Sequence, residues 1–233
     1  TTVTWTVTDG TGNTATAAQT VTVVDNIAPV AITQNITVQL AANGTASTTA
    51  AAVNNNSTDN CAITTYALGV GEGTFDCNDL ANNGANTVTL TVTDAAGLTN
   101  SANATVTVQD NIDPTISAPA NVSVNVGAGS CVATVASVTL GTPTTADNCS
   151  VASTTNDAPV APATYPLGPT TVTWTVTDGA GLTATAAQTV TVVDNIVPTI
   201  SAPANVSVNV GAGTCVATVA SVTLGNPTTA DNC

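Results

Sequence analysis

The sequence contains no lysine, arginine or histidine, whereas aspartate and glutamate together number 14, giving a formal net charge of −14. Because phosphate binding needs Lys or Arg, this composition excludes nucleic acid as a partner, and it equally excludes polybasic adhesion to anionic lipid. His and Lys take part in most mechanisms of general-base catalysis and nucleophile activation, and the sequence has neither. We therefore expect that the protein is not an enzyme. Only cations from solvent can neutralise the carboxylates, which makes divalent metal ions the expected ionic partners.

Other features are equally scarce. Aromatic residues make up 2% of the sequence and charged residues 6%, while hydrophobic residues reach 43%, so the cores must be built mainly from Val, Ile, Leu and Ala. No apolar run approaches the roughly 20 residues of a membrane-spanning helix, so we expect no direct membrane insertion. The sequence has no Met and begins and ends inside a repeat, and we therefore expect a piece of a longer polypeptide.

Long stretches of the sequence return almost unchanged. Residues 1–26 recur as 170–195 with two substitutions, and residues 113–149 recur as 197–233 with three. The spacing of 84 or 85 residues between corresponding aspartates is too long for a solenoid turn and suits one small domain in a tandem array. We predict the C-terminal part of a repeat over 1–27, full repeats over 28–112 and 113–196, and the N-terminal part of a repeat over 197–233.

Alternation of apolar residues with threonine dominates the sequence. Val172, Trp174 and Val176 alternate with Thr, which is the period-2 pattern of a half-buried strand, and no segment shows a sustained helical period. We therefore predict an all-β fold, with tandem immunoglobulin-like antiparallel β-sandwich domains in a linear array. In the full repeat 113–196, strands are expected near Ile116, Val122–Val126, Cys131–Leu140, Val151–Thr155, Thr171–Thr177 and Leu182–Val193.

Six cysteines fall as one pair in each repeat. A zinc site made of cysteine alone needs four ligands, which no single repeat supplies, and free buried thiols are the remaining alternative. We favour disulfides and therefore an oxidising, extracellular location. The expected pairs are Cys61–Cys77, Cys131–Cys149 and Cys215–Cys233.

Repeats meet at Asp-Asn-Ile-x-Pro junctions that contain no flexible Gly/Ser run, so we expect a stiff joint. Their carboxylate and amide oxygens are the hard ligands that calcium prefers. The alternative is that Asp-Asn caps a turn through hydrogen bonds to the backbone. If calcium binds, it should raise the melting temperature and straighten the array. The candidate ligands are Asp25, Asn26, Asp110, Asn111, Asp113, Asp194 and Asn195.

Two further motifs recur, and both indicate turns. Asp-Asn-Cys, as in Asp59 to Cys61, is interpreted as a turn fixed by a disulfide, with a calcium-binding loop as the alternative. Each Asp-x-x-Gly segment, such as Asp178 to Gly181, predicts a hairpin loop.

The two tryptophans, Trp5 and Trp174, lie on the same strand face as valines. We therefore expect both to be core residues rather than platforms for sugars.

With these motifs in view, the repeats resemble hyalin (HYR-type) repeats, an immunoglobulin-like module. The matching text covers essentially the whole chain, although Ala118 and Ala202 stand where that family often has Cys. Cys77 also lies near the Tyr-Pro-Leu-Gly position, so the resemblance implies that disulfide topology differs between repeats. The segments that resemble hyalin repeats are Pro114 to Asn121, Asp147 to Cys149, Tyr165 to Gly168 and Thr171 to Asp178.

Threonine-rich arrays that lack lysine also resemble the giant surface adhesins of gliding Bacteroidota. The resemblance implies an extracellular, cell-surface filament that binds polysaccharide or a substratum. We accordingly expect a structural stalk of a large adhesin, serving attachment or gliding, whose partners are the neighbouring repeats of its own chain. The alternatives are a repeat module that binds glycan or protein, with avidity from repetition, and an extracellular fibre formed by lateral self-association.

Overall fold

The structure is a computed structural model that describes residues 1–213 and 215–233, with the backbone alone at Asn82 and Ser221. The chain forms two compact units, Thr1–Ile112 and Asp113–Cys233. The finer division into four parts stays a prediction. None of the helices in the described residues is both long and apolar enough to cross a membrane.

The first unit consists of a hairpin followed by one complete repeat. The repeat has a four-stranded sheet in the order β3-β8-β7-β5 and a smaller sheet of β4 and β6. Its elements are β1 (Thr2–Thr8), β2 (Thr14–Thr20), β3 (Ile36–Gln39), β4 (Thr45–Ser47), α1 (Ala50–Val53), β5 (Ile63–Leu68), β6 (Thr74–Asp76), a 3-10 helix (Cys77–Gly84), β7 (Ala85–Asp94) and β8 (Thr99–Gln109).

The second unit contains a similar four-stranded sheet together with three two-stranded sheets. Its four-stranded sheet has the order β10-β16-β15-β13, and β11–β14, β9–β12 and β17–β18 form two-stranded sheets. Its elements are β9 (Thr115–Ser117), β10 (Val122–Asn125), β11 (Val132–Thr134), a 3-10 helix (Val135–Ser137), β12 (Thr144–Ala146), β13 (Val151–Asn156), β14 (Thr164–Pro166), β15 (Gly168–Asp178), β16 (Thr183–Val193), β17 (Thr199–Ser201), a 3-10 helix (Val219–Ser221) and β18 (Thr228–Ala230).

The predicted all-β, immunoglobulin-like sandwich is confirmed, with two refinements. One pair in each four-stranded sheet, β3 with β8 and β10 with β16, is parallel, whereas the other pairs are antiparallel. A single helical turn, α1, also interrupts the first repeat, because the side chain of Thr49 accepts a hydrogen bond from the Ala52 N–H and caps it.

The core lies where the alternating strands turn their apolar faces inward. In β15, Val172, Trp174 and Val176 are buried and the threonines between them are half-buried, as the period-2 pattern predicts. Val172 and Trp174 pack with Val190 and Val192 from β16 and Tyr165 from β14. Branching at Cβ suits this pleated surface, which explains how a sequence with few aromatic residues still fills a core.

The prediction for the two tryptophans is confirmed for Trp174 and wrong for Trp5. Trp174 is 7% exposed, but Trp5 is 64% exposed. The physical reason is that β1 pairs only with β2, and every residue of both strands is exposed. In the described part of the chain, the apolar face of this hairpin is therefore not covered by another strand.

The three predicted disulfide pairs are not formed. Cys77 and Cys149 are disulfide-bonded, whereas Cys61, Cys131, Cys215 and Cys233 are free thiols. In the first repeat, Cys61 lies beside the end of β7, since Ile63 pairs with Asp94, while Cys77 opens the 3-10 helix that leads into the start of β7. Strands rise about 3.3 Å per residue, so the ten residues of β7 separate these two cysteines far beyond the reach of a disulfide.

Candidate cation-binding site

Three aspartates from three different elements meet at the start of the first complete repeat. Asp25 lies in the segment that enters the repeat, Asp59 in the turn before β5, and Asp94 at the end of β7. One carboxylate oxygen from each lies within 4.8 Å of those of the other two. We call Asp25, Asp59 and Asp94 the junction cluster.

Asp25 is held by an Asx turn. Its Oδ1 accepts hydrogen bonds from the Ile27 N–H and the Asn60 Nδ2, each at 3.1 Å. Such turns form because a short acidic side chain reaches the backbone two residues ahead. These hydrogen bonds, that from Asn60 above all, lower the pKa of the Asp25 carboxyl, since they favour its ionised form.

Asp59 and Asp94 are fixed in the same manner. Asp59 Oδ2 accepts the N–H groups of Cys61 at 3.0 Å and Ala62 at 3.2 Å. Asp94 Oδ1 accepts the N–H groups of Ala96 at 2.9 Å and Leu98 at 2.8 Å. One carboxylate oxygen of each aspartate therefore accepts hydrogen bonds from its own turn. These hydrogen bonds fix the orientation of the other oxygen.

The other oxygen of each carboxylate is buried and has no hydrogen-bond partner: Asp25 Oδ2, Asp59 Oδ1 and Asp94 Oδ2. Asp94 as a whole is only 2% exposed. A buried, ionised oxygen without a partner is costly, and three carboxylates this close repel one another. Because the sequence has no Lys, Arg or His, no side chain can supply the positive charge that the junction cluster needs.

A calcium ion fits this donor set. Calcium binds six to eight oxygens at about 2.3–2.6 Å, so two of its ligands are at most about 5 Å apart, which matches the observed spacing. Carboxylates are hard ligands that favour calcium or magnesium over softer metals. In this site Asp25, Asp59 and Asp94 would each supply an oxygen, with backbone carbonyls and water completing the shell.

The second unit repeats the same parts. Asp147 Oδ2 holds the N–H groups of Cys149 and Ser150 at 3.0 and 2.9 Å. Asp178 Oδ1 holds those of Ala180 and Leu182 at 2.9 and 2.8 Å. Asp147 Oδ1 and Asp178 Oδ2 are again buried without a partner. The orphaned oxygens thus belong to the repeat and are not an accident of one turn.

The Asx turn recurs at the start of the last repeat. Asp194 Oδ1 accepts the Ile196 N–H at 3.0 Å and the Asn232 Nδ2 at 3.3 Å, as Asp25 does with Ile27 and Asn60. The Ile196 N–H is the main reason why the pKa of Asp194 is lowered. Asp110 makes the same turn with the Ile112 N–H at 3.1 Å.

The sequence predicts this site only in part. Of the predicted ligands, the structure places Asp25 in the junction cluster, whereas Asn26, Asn111, Asp113 and Asn195 are exposed. The amide that reaches Asp25 is that of Asn60, from the Asp-Asn-Cys motif, which was interpreted mainly as a disulfide turn.

Asp94 and Asp178 are not among the candidate ligands that the sequence predicts. Their signal was present, because an Asp recurs at the same position of each repeat, but it was interpreted only as the start of a hairpin loop. No sequence pattern indicates that this turn faces the junction.

No protein-family model and no curated protein matches the sequence. Among solved structures, the chain is similar to extracellular cadherin domains 1–5 of protocadherin gamma B2, with 12% identity, 88% of this chain and 48% of that chain covered, and a TM-score of 0.34. It is also similar to domains EC22-24 of mouse cadherin-23, with 18% identity, 83% and 74% covered, and a TM-score of 0.35. The chain thus spans about half the length of the protocadherin structure. The fold assignment rests on the sheets described above.

Proposed function

We propose that this chain is a structural segment of an extracellular, adhesion-type repeat array whose junctions are stabilised by calcium. One observation carries the proposal: the junction cluster joins an aspartate of the entering segment, Asp25, to two turns of the following repeat. Each of its carboxylates has a buried oxygen without a partner. The repeated positions are otherwise strand faces, turns and cysteines, which are parts for folding and joining domains.

Calcium would act here as a clamp. Bound to Asp25, Asp59 and Asp94, it would neutralise three carboxylates and tie the entering segment to the ends of two strands. A ligand that binds only the folded state stabilises it by about 2.7 kcal/mol at 100 times its Kd. The junction has no Gly/Ser run, so a clamp at this point leaves little freedom between the repeats.

The finer part of the proposal concerns the family and the surface. The hyalin-type motifs support a repeat of that kind, and the threonine-rich, cation-free composition supports a cell-surface stalk of a giant adhesin that serves attachment or gliding. Polysaccharide or a solid substratum is then the partner of the whole filament. A glycan array separates this stalk from a glycan-binding module, since a stalk segment shows no binding.

The test is thermal unfolding of the chain in excess calcium and in EDTA. We expect calcium at 100 times its Kd to raise the melting temperature by about 10–20 °C, because 1 kcal/mol corresponds to about 4–8 °C in a domain of this size. Identical melting curves would refute the proposal.

A variant pair locates the effect. Asp94→Asn keeps the Oδ1 that accepts the Ala96 and Leu98 N–H groups but removes the charge, so it should weaken the calcium response. Asp157→Asn is the matched control: it removes the same charge, keeps an acceptor for the Thr173 N–H, and lies outside the acidic clusters of the described residues. An equal loss in both variants would show a general charge effect and contradict the site.

A further inference from the structure

The cysteines of the second unit stand at opposite ends of its complete repeat. Cys149 lies beside the hairpin turn that ends β15, where the Gly179 N–H donates to the Ser150 carbonyl at 3.1 Å. Cys131 lies at the other end, since its neighbour Val132 pairs with Pro166, just before β15 begins. The 11 residues of β15 span about 35 Å, whereas the Cα atoms of a disulfide lie within about 7 Å.

Cys131 instead meets the following repeat. Its Sγ donates to the Asn232 carbonyl at 2.8 Å, and the Asn232 Nδ2 donates to the Ser130 carbonyl at 3.2 Å. The Sγ of Cys233 lies 3.7 Å from the same Ser130 oxygen. The Cys131 thiol also hydrogen-bonds that of Cys233, and this contact is the main reason why the pKa of Cys233 is raised to about 12.

The first repeat reaches the same arrangement by another route. It has no cysteine before β4, the strand that corresponds to β11, and Gly44 stands there instead. Cys77, which follows β6, places its Sγ 3.6 Å from the Gly44 carbonyl. A cysteine sulfur therefore lies at this end of both complete repeats, although it comes from different positions of the sequence. Cys77 is disulfide-bonded, and so is Cys149, the residue that corresponds to Cys233.

We propose that Cys131 and Cys233 form a disulfide that crosses the junction at Asp194 and links consecutive repeats covalently. Formation removes two electrons and two protons from the thiols, and the oxidant is a small-molecule or protein disulfide such as oxidised glutathione. One cysteine thiolate attacks the oxidant and displaces a thiolate, and the second cysteine then attacks the mixed disulfide and displaces the other. This inference concerns the thiols alone and does not depend on calcium.

Peptide mapping tests the proposal on the full chain, refolded with oxidised glutathione in EDTA. Cleavage before aspartate suits a sequence without Lys or Arg, because it places each cysteine in its own peptide. We expect peptide 113–146 linked to 231–233. Peptide 113–146 found unlinked, or linked to 147–156 or 194–230, would overturn the proposal.

A variant removes one ambiguity. Peptides 76–78 and 231–233 have the same composition, Asp, Asn and Cys, so their masses are equal. Cys233→Ser should abolish the linked peptide and expose one additional thiol, that of Cys131, to alkylation. Cys215→Ser should leave the linked peptide intact. A linked peptide that survives in Cys233→Ser would assign the bond to Cys77 and contradict the proposal.

Discussion

The hairpin of β1 and β2 and the hairpin of β15 and β16 have almost the same sequence in two different surroundings. Both pair in the same register, with Trp5 opposite Ala17 and Trp174 opposite Ala186. In both, the indole Nε1 donates to a glutamine Oε1, at 2.9 Å to Gln19 and 3.0 Å to Gln188. Strand pairing and this side-chain contact are therefore local properties of the hairpin.

The two hairpins differ in how far their side chains are buried by other strands. Gln188 is 0% exposed, and its Nε2 donates to the carbonyls of Ala120 and Leu140, both at 2.7 Å. Gln19 is exposed, because β1 and β2 pair only with each other in the described residues. The hairpin is therefore specified by local sequence within the recurring stretch 1–26, whereas burial of its apolar face needs the other strands of a repeat.

Replacement of the two tryptophans should separate these contributions most strongly. Trp174→Ala removes a buried aromatic ring and should lower the free energy of unfolding by about 3–5 kcal/mol. Trp5→Ala alters an exposed side chain and should change it by less than about 0.5 kcal/mol. Denaturant unfolding followed by circular dichroism measures both. Equal effects would show that the two hairpins are packed alike.

Much of the fold can be predicted from such local patterns. The alternation around Val172 and the Asp-x-x-Gly loops predict β15, β16 and their turn correctly, because period 2 and turn chemistry act over a few residues. The expected strand Cys131–Leu140 is instead β11 followed by a 3-10 helix, and β12 and β14 were missed. These short strands have three residues each and are fixed by tertiary pairing.

Less of the candidate site follows from sequence. The Asp25 turn is a local motif, and the sequence offers it as the alternative to a calcium ligand. The meeting of Asp25 with Asp94 depends on how the entering segment lies against a hairpin 69 residues further along. The cysteine pairs show the same limit. Equal numbers in each repeat suggested pairing within a repeat, whereas strand length places the two thiols at opposite ends.

Replacement of Gln188 should have the next largest effect on the free energy of unfolding. Gln188→Ala leaves the Trp174 indole and the Ala120 and Leu140 carbonyls without their partner, and each such group costs about 1–3 kcal/mol. We expect a loss of at least about 2 kcal/mol, against no measurable loss for Gln19→Ala. Denaturant midpoints at constant slope report the difference.

The other complete repeat suggests a double variant that sharpens this result. Leu90 and Ala104 stand where Trp174 and Gln188 stand in the second unit. The pair Trp174→Leu and Gln188→Ala should therefore cost less than the sum of the single changes, by more than about 1 kcal/mol, because the indole donor and its acceptor leave together. Strict additivity would show that the two side chains are not coupled.

The smallest expected effect concerns Asp9, which corresponds to Asp94 and Asp178. Its Oδ2 is not orphaned, because the Asn13 Nδ2 donates to it at 2.9 Å, whereas Leu98 and Leu182 stand at that position in the complete repeats. This hydrogen bond is the largest of several that lower the pKa of the Asp9 carboxyl. Asn13→Leu should raise that pKa toward the ordinary value of about 3.9.

The lowered pKa of Asp9 decides how the stability of the hairpin depends on pH. Because the folded hairpin holds Asp9 ionised, its contribution to stability is complete above about pH 3.9 and is lost as the pH falls through the folded pKa. NMR titration of the Asp9 carboxyl measures the shift, and Thr2→Ser, remote from the turn, is the control. An unchanged pKa in Asn13→Leu would contradict the assigned role of Asn13.

Calorimetric titration of the full chain with calcium tests the central claim most directly. We predict saturable binding, with Asp94→Asn losing one bound ion per chain and Asp157→Asn matching the unmodified protein, because only Asp94 belongs to the junction cluster. No saturable binding, or the same stoichiometry and affinity in Asp94→Asn, would contradict the claim that the junction cluster binds calcium.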